Sequence, residues 1–84
     1  MTETRIGTVY HYYNHSHMAG VTVTDGALRK GDTIHVKGQI SDFVQKVESM
    51  EINHEAVKVA KLGDEIGLSV IGHAWEHDTV YVVT

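Results

Sequence analysis

The stretch VESMEINHEAVKVAKLGDEIGLSVIG, Val47 to Gly72, decides the fold. Its last third is a strand. Gly63-Asp64 punctuates the chain, and Ile66, Leu68 and Val70 then alternate with the residues between them, so that one face is apolar. Gly67, inside this strand, predicts a bulge or a close approach of another group to the backbone. The middle third competes with that pattern. Asn53 has the chemistry of a helix N-cap and Gly63 that of a C-cap, with Ile52, Ala56, Val59 and Ala60 near a helical stripe. About nine residues between caps is marginal for a helix. The expectation for this piece is a loop with at most one helical turn.

The same alternation extends in both directions. VTVTDG sets Val21 and Val23 against Thr22 and Thr24 and ends on an Asp-Gly turn signal. Gly31-Asp32 precedes Ile34 and Val36, and the chain closes with Val80 and Val82 on one face. Strands are expected at residues 5–14, 18–24, 33–37, 43–52, 65–71 and 79–83. Six short strands separated by turn residues predict an all-β domain. A closed Greek-key barrel would remove the exposed edges of strands this rich in Val and Ile. The prediction is one six-stranded closed barrel over residues 1–84, with no internal repeat, linker or low-complexity tract.

Composition agrees with a single small domain. Eighty-four residues allow one core and hardly two, and 42% apolar residues can fill it. Eleven Asp and Glu outnumber seven Lys and Arg, giving a formal charge of −4. That balance works against non-specific binding of nucleic acid, which depends on neutralising phosphates. There is no cysteine, hence no disulfide and no thiolate ligand. The N-terminus shows no signal-peptide pattern and no apolar run approaches the ~20 residues of a spanning helix. A cytoplasmic protein is expected.

The ordered set of motifs resembles the second, β-barrel domain of elongation factor Tu-type translation GTPases. VESMEI, the His54-Glu55-Ala56 turn, Gly63-Asp64 and the strand ending in Ile71-Gly72 follow that domain's order. IGTV, DGALRKGDTIHV and HDTVYVV resemble its first strand, its hairpin and its last strand, so the likeness covers Ile6 to Val83. No GxxxxGK[ST] phosphate loop accompanies it, so the resemblance implies a free-standing, elongation-factor-like barrel without GTPase activity or cofactor. It also implies a binding role connected with translation, for tRNA, ribosomal RNA or a ribonucleoprotein. By motif, the contact residues would be Glu51, Asn53, His54, Asp64 and Glu65. Asn53 stands where the family carries a ring and Glu65 where it carries Asn. Both changes favour the alternative, a protein-interaction module docking on a separate GTPase or enzyme.

Four further features are weighed on their residues. Arg29, Lys30 and Lys37 flank one hairpin and can meet phosphates or simply face water. HYYNHSH, His11 to His17, places His11, His15 and His17 at even spacings, four and then two. Three imidazoles on one strand face can hold zinc, but they converge only roughly, and a polar hairpin tip is the simpler outcome. Trp75 can plug one barrel end or stand out as an anchor for a partner. The serines lie in separate segments with no nucleophile elbow, so no enzyme is expected.

Overall fold

The computed structural model describes residues 2–84. Every element is a strand: β1 (Glu3–Tyr13), β2 (Met18–Val23), β3 (Ala27–Arg29), β4 (Thr33–Lys37), β5 (Asp42–Lys46), β6 (Met50–Ile52), β7 (Glu55–Val57), β8 (Val59–Lys61), β9 (Glu65–Ser69) and β10 (Thr79–Val83). Eight of them form one antiparallel sheet in the order β5-β4-β10-β1-β2-β9-β6-β7, and β3 pairs with β8 as a separate ribbon. The all-β expectation holds. The six-stranded closed barrel does not, because the sheet ends at β5 and β7 and is not closed.

One structural unit occurs three times. In each copy an aspartate closes a four-residue turn on the residue three before it. Asp32 accepts the N–H of Arg29 at 2.9 Å, Asp64 that of Lys61 at 2.8 Å and Asp78 that of Trp75 at 2.8 Å. Each aspartate returns its own N–H to the carbonyl of the same residue, at 3.0, 2.9 and 3.0 Å respectively. The residue before each aspartate takes positive φ: 95° at Gly31, 91° at Gly63 and 76° at His77. Each turn then grips one buried valine by both its backbone groups. Gly31 and Asp32 hold Val47, Gly63 and Asp64 hold Val23, and His77 and Asp78 hold Val9. In the sequence these are LRKGD, AKLGD and AWEHD. Leu28, Ala60 and Ala74, four residues before the aspartates, are fully buried, as are Ile34, Ile66 and Val80 two residues after. The chain therefore has an internal repeat that comparison of residue identities does not reveal.

These turns explain where the strand predictions fail. The single strand expected at 43–52 is two, because Val47 turns inward and spends its N–H and C=O on Asp32 and Gly31. The segment after Ile52 contains neither a helix nor a loose loop. Asn53 and His54 both have positive φ, 52° and 65°, which is the two-residue turn that matches the twist of a hairpin. Ile52 pairs with Glu55, and β6 and β7 follow as a hairpin. Ala60 then pairs with Leu28 in the ribbon, and both join the core with Ile6, Val21, Val36, Met50, Leu68 and Val80.

Outside the core, His35 ties the edge of the sheet together. Its Nδ1 lies 2.8 Å from Glu3 Oε2 and its Nε2 2.5 Å from Asp42 Oδ1. Both ring nitrogens can donate only when the imidazole is protonated. The Asp42 hydrogen bond, aided by Glu3, raises the His35 pKa against the opposing cost of burial. The same bond holds the Asp42 carboxyl below its ordinary range.

Three variants test these contacts. Asp78 is buried, and Asp78→Ala leaves the Trp75 N–H without its partner; unfolding in urea should show a loss of about 1–3 kcal/mol. His77→Gly removes the cost of a side chain at positive φ and should stabilise by about 1 kcal/mol. For His35 the sign is that of a raised base. Its contribution is complete below the ordinary imidazole value of about 6.5 and is lost as pH rises through the raised folded value. Asp42 contributes above its ordinary value and loses that as pH falls through its lowered one. The stability gap between the unaltered chain and His35→Gln should therefore be widest between the ordinary carboxylate and imidazole values, about pH 4 to 6.5, and narrow as pH rises above the latter.

Candidate functional site

A cleft of about 490 Å³ opens on the outer face of the sheet. Gly67 of β9 lines its floor, and the direct partner of Gly67 in the antiparallel ladder, Gly20 of β2, is buried beneath the Tyr10 ring. A Cβ on Gly20 would lie 2.6 Å from the Tyr10 ring. A Cβ on Gly67 would lie 3.2 Å from Met18 Cε and 3.3 Å from Glu51 Cγ. The close approach expected at Gly67 is real, and the group that approaches is the side chain of a site residue.

Two local irregularities raise the walls. The pairing of β1 with β2 shifts between Val9 and His11, and the extra residue is Tyr10. This bulge breaks the alternation, so Val9 and Tyr12, three apart, both face the core. Tyr10 is left outside, 43% exposed, with its ring over Gly20. Tyr13 pairs with Met18 at the base of the hairpin tip, and both border the cleft. The opposite wall is the Asn53-His54 turn together with Glu51, and Glu65 adds a second carboxylate. Glu51 faces Gly67 across the β6–β9 ladder, and Glu65 lies two residues along β9 on the same face. That diagonal places the two side-chain origins about 7–8 Å apart. Burial raises the pKa of the Tyr10 hydroxyl, and nearby Tyr13 and Glu65 raise it further.

Of the expected contact residues, Glu51, Asn53, His54 and Glu65 meet in this cleft. Asp64 does not; its carboxylate is engaged with the Lys61 N–H. Arg29, Lys30 and Lys37 are exposed and lie outside the cleft, with the length of β4 between Lys30 and Lys37. Tyr10, Tyr13, Ser16 and Met18 also line the cleft and are not among the expected contact residues. The tyrosines belong to the hairpin noted in the sequence, but only the bulge directs Tyr10 to this side.

The histidines of HYYNHSH do not gather. His17 Nδ1 lies 3.3 Å from the Tyr12 hydroxyl, His11 Nδ1 lies 3.8 Å from Glu76 Oε2, and His15 is exposed in the hairpin tip. Among the described residues no group of three or more His, Asp or Glu side chains is placed to hold a metal ion. Trp75 is not a plug. It is 44% exposed and stacks on His73 at 4.1 Å, which stacks on Tyr12 at 4.2 Å. Ala74 takes the inward place beside it. Among the described residues no helix is long and apolar enough to cross a membrane.

Comparison with known proteins corrects the family assignment. No protein-family model matches the chain. An uncharacterized protease of Methanocaldococcus jannaschii is 34% identical over 79 residues. The match takes in 93% of this chain but only 19% of that protease, so the chain spans about a fifth of the relative's length. The C-terminal domain of a candidate U32 peptidase from Geobacillus thermoleovorans has the same fold. One crystal structure of it superposes with a TM-score of 0.87 over 98% of this chain and 93% of that domain. Its selenomethionine variant gives 0.84 over 90% and 95%. Sequence identity is 19% in both. The resemblance to the second domain of elongation factor Tu is therefore overturned. With it go the translation role, the RNA-binding module and the expectation of no enzyme, which the relative's name, a protease, contradicts.

The turn at Asn53-His54 makes one further prediction. Glycine is the favoured second residue of such a turn, so His54→Gly should raise stability by about 1 kcal/mol. For a domain of this size that is a rise in melting temperature of about 4–8 °C, measurable by calorimetry.

Proposed function

We propose that this chain serves a U32 peptidase-type protein as an accessory β-domain, and that its cleft receives a segment of polypeptide. The observation that carries the reading is the 34% identity, over nearly the whole chain, to part of a protein named a protease. The site supports it in kind. Its volume lies in the range of small-ligand pockets and suits one or two side chains. Half-exposed tyrosines with a flexible methionine are the residues that give adaptable contact area at recognition surfaces. The absence of a side chain at Gly67 lets a bound chain lie close to the sheet there.

The test is an NMR titration of the nitrogen-15-labelled chain with short unstructured peptides. Shift changes should centre on Tyr10, Tyr13, Glu51, Asn53, Glu65 and Gly67. Gly67→Ala puts a Cβ on the floor against Met18 Cε and Glu51 Cγ, at 3.2 and 3.3 Å, which small shifts of two side chains can relieve, so the fold should survive, and Gly67→Val, which fills more of the floor, should weaken binding about tenfold or more. Peptide binding that leaves these residues unmoved, or that Gly67→Val does not affect, would count against the reading.

A further inference from the structure

The cleft has a chemical preference written into its walls. Two carboxylates, Glu51 and Glu65, sit diagonally across the β6–β9 ladder. Two tyrosine rings, Tyr10 and Tyr13, form the other side, and Met18 lies between them at the end of β2. No lysine or arginine lines the cleft. Neither carboxylate has a salt-bridge or hydrogen-bond partner within the described structure, a condition they share with the exposed Asp25, Glu48 and Glu55, but only these two face the cleft. The arrangement thus combines unpaired negative charge, aromatic faces and an apolar thioether around one opening.

Each part suits a different piece of one ligand. A long apolar stem packs along tyrosine and methionine while its charged end stays near water. A cationic end is attracted both to a carboxylate and to the face of a tyrosine ring. An acidic side chain would meet two like charges, and a short aliphatic one would leave the carboxylates without a partner. The −4 charge of the whole chain acts in the same direction.

We infer that the cleft selects a basic side chain, lysine or arginine, of the polypeptide it receives, with Glu51 and Glu65 facing the charged end and Tyr10, Tyr13 and Met18 lining the stem. The inference rests on the reading that the cleft binds polypeptide. Two exposed ion pairs and one cation–aromatic contact are each worth a few-fold, together about tenfold in affinity.

The experiment compares acetylated and amidated pentapeptides, Gly-Gly-X-Gly-Gly, with X as Lys, Arg, acetyl-lysine, norleucine or Glu, titrated into the labelled chain. Lys and Arg should bind about tenfold tighter than acetyl-lysine and norleucine, and Glu should bind weakest. In the double variant Glu51→Gln, Glu65→Gln the advantage of lysine over acetyl-lysine should vanish while acetyl-lysine binds as before. Added salt should shrink the same advantage. If all five peptides bind alike at the cleft, basic selectivity is wrong and polypeptide binding stands. If norleucine or Glu binds tightest, selectivity is likewise wrong. If none binds, both readings fall together.

Discussion

The turn that an aspartate closes on the residue three before it is the constraint on which the rest of the chain depends. It lets a strand start in a fixed direction immediately after a tight reversal. It satisfies the N–H of the residue that opens the turn, and it holds a buried valine from another part of the chain by both backbone groups. Three such turns grip Val47, Val23 and Val9, which lie far apart in sequence. A small domain has few residues with which to fix its topology. Here the fixing is done by backbone bonds at three points, and the apolar side chains around them close the core.

The cleft inherits its shape from two of these turns. The turn at Gly63-Asp64 launches β9, and the next residues are Glu65 and Gly67. The turn at His77-Asp78 holds Val9, and the residue after Val9 is the bulged Tyr10. With Val9 anchored on both backbone groups, the extra residue in β1 has to be accommodated just beyond it, and Tyr10 is pushed onto the outer face. The absence of a Cβ at Gly20 then leaves the ring a place to lie. Wall and floor of the site are consequences of the same bonds that define the fold.

Much of this was legible in the sequence, and the failures have definite causes. The period-two runs placed β2, β4, β9 and β10 nearly to the residue. Gly31-Asp32 and Gly63-Asp64 were recognised as turns, and Gly67 as a point of close approach. The third turn was hidden because His77 occupies the glycine position at positive φ. Asn53-His54 was hidden for the same reason, and an Asn before a run of Ala, Val and Lys has the local chemistry of a helix start. The short strands β3, β7 and β8 have three residues each, too few for a period to show. Glu51, Asn53, His54 and Glu65, expected as contacts of an RNA, lie together in the cleft, whereas nothing in the sequence marks Tyr10 and Tyr13 there. A bulge reverses which face a residue occupies, and its position depends on the partner strand.

The mistaken family follows from the same physics. The features that resembled a translation-factor barrel were Gly-Asp pairs followed by alternating apolar residues, and in this structure those are the turn and the strand it launches. Such features report how a small curved sheet is made. They do not report what it binds. The same caution applies to the peptidase-domain structures, which share the fold at 19% identity. At that level the recurring requirement is a pattern of buried positions and turn residues, which leaves exposed side chains free to differ. The argument for function must therefore come from residues the fold does not need. Glu51 and Glu65 are such residues: neither closes a turn, caps a strand or pairs with a cation within the described structure. Tyr10 is another, since the bulge needs an extra residue there but not an aromatic one. Side chains that the fold does not require, gathered around one cleft, carry the chemistry available for recognition.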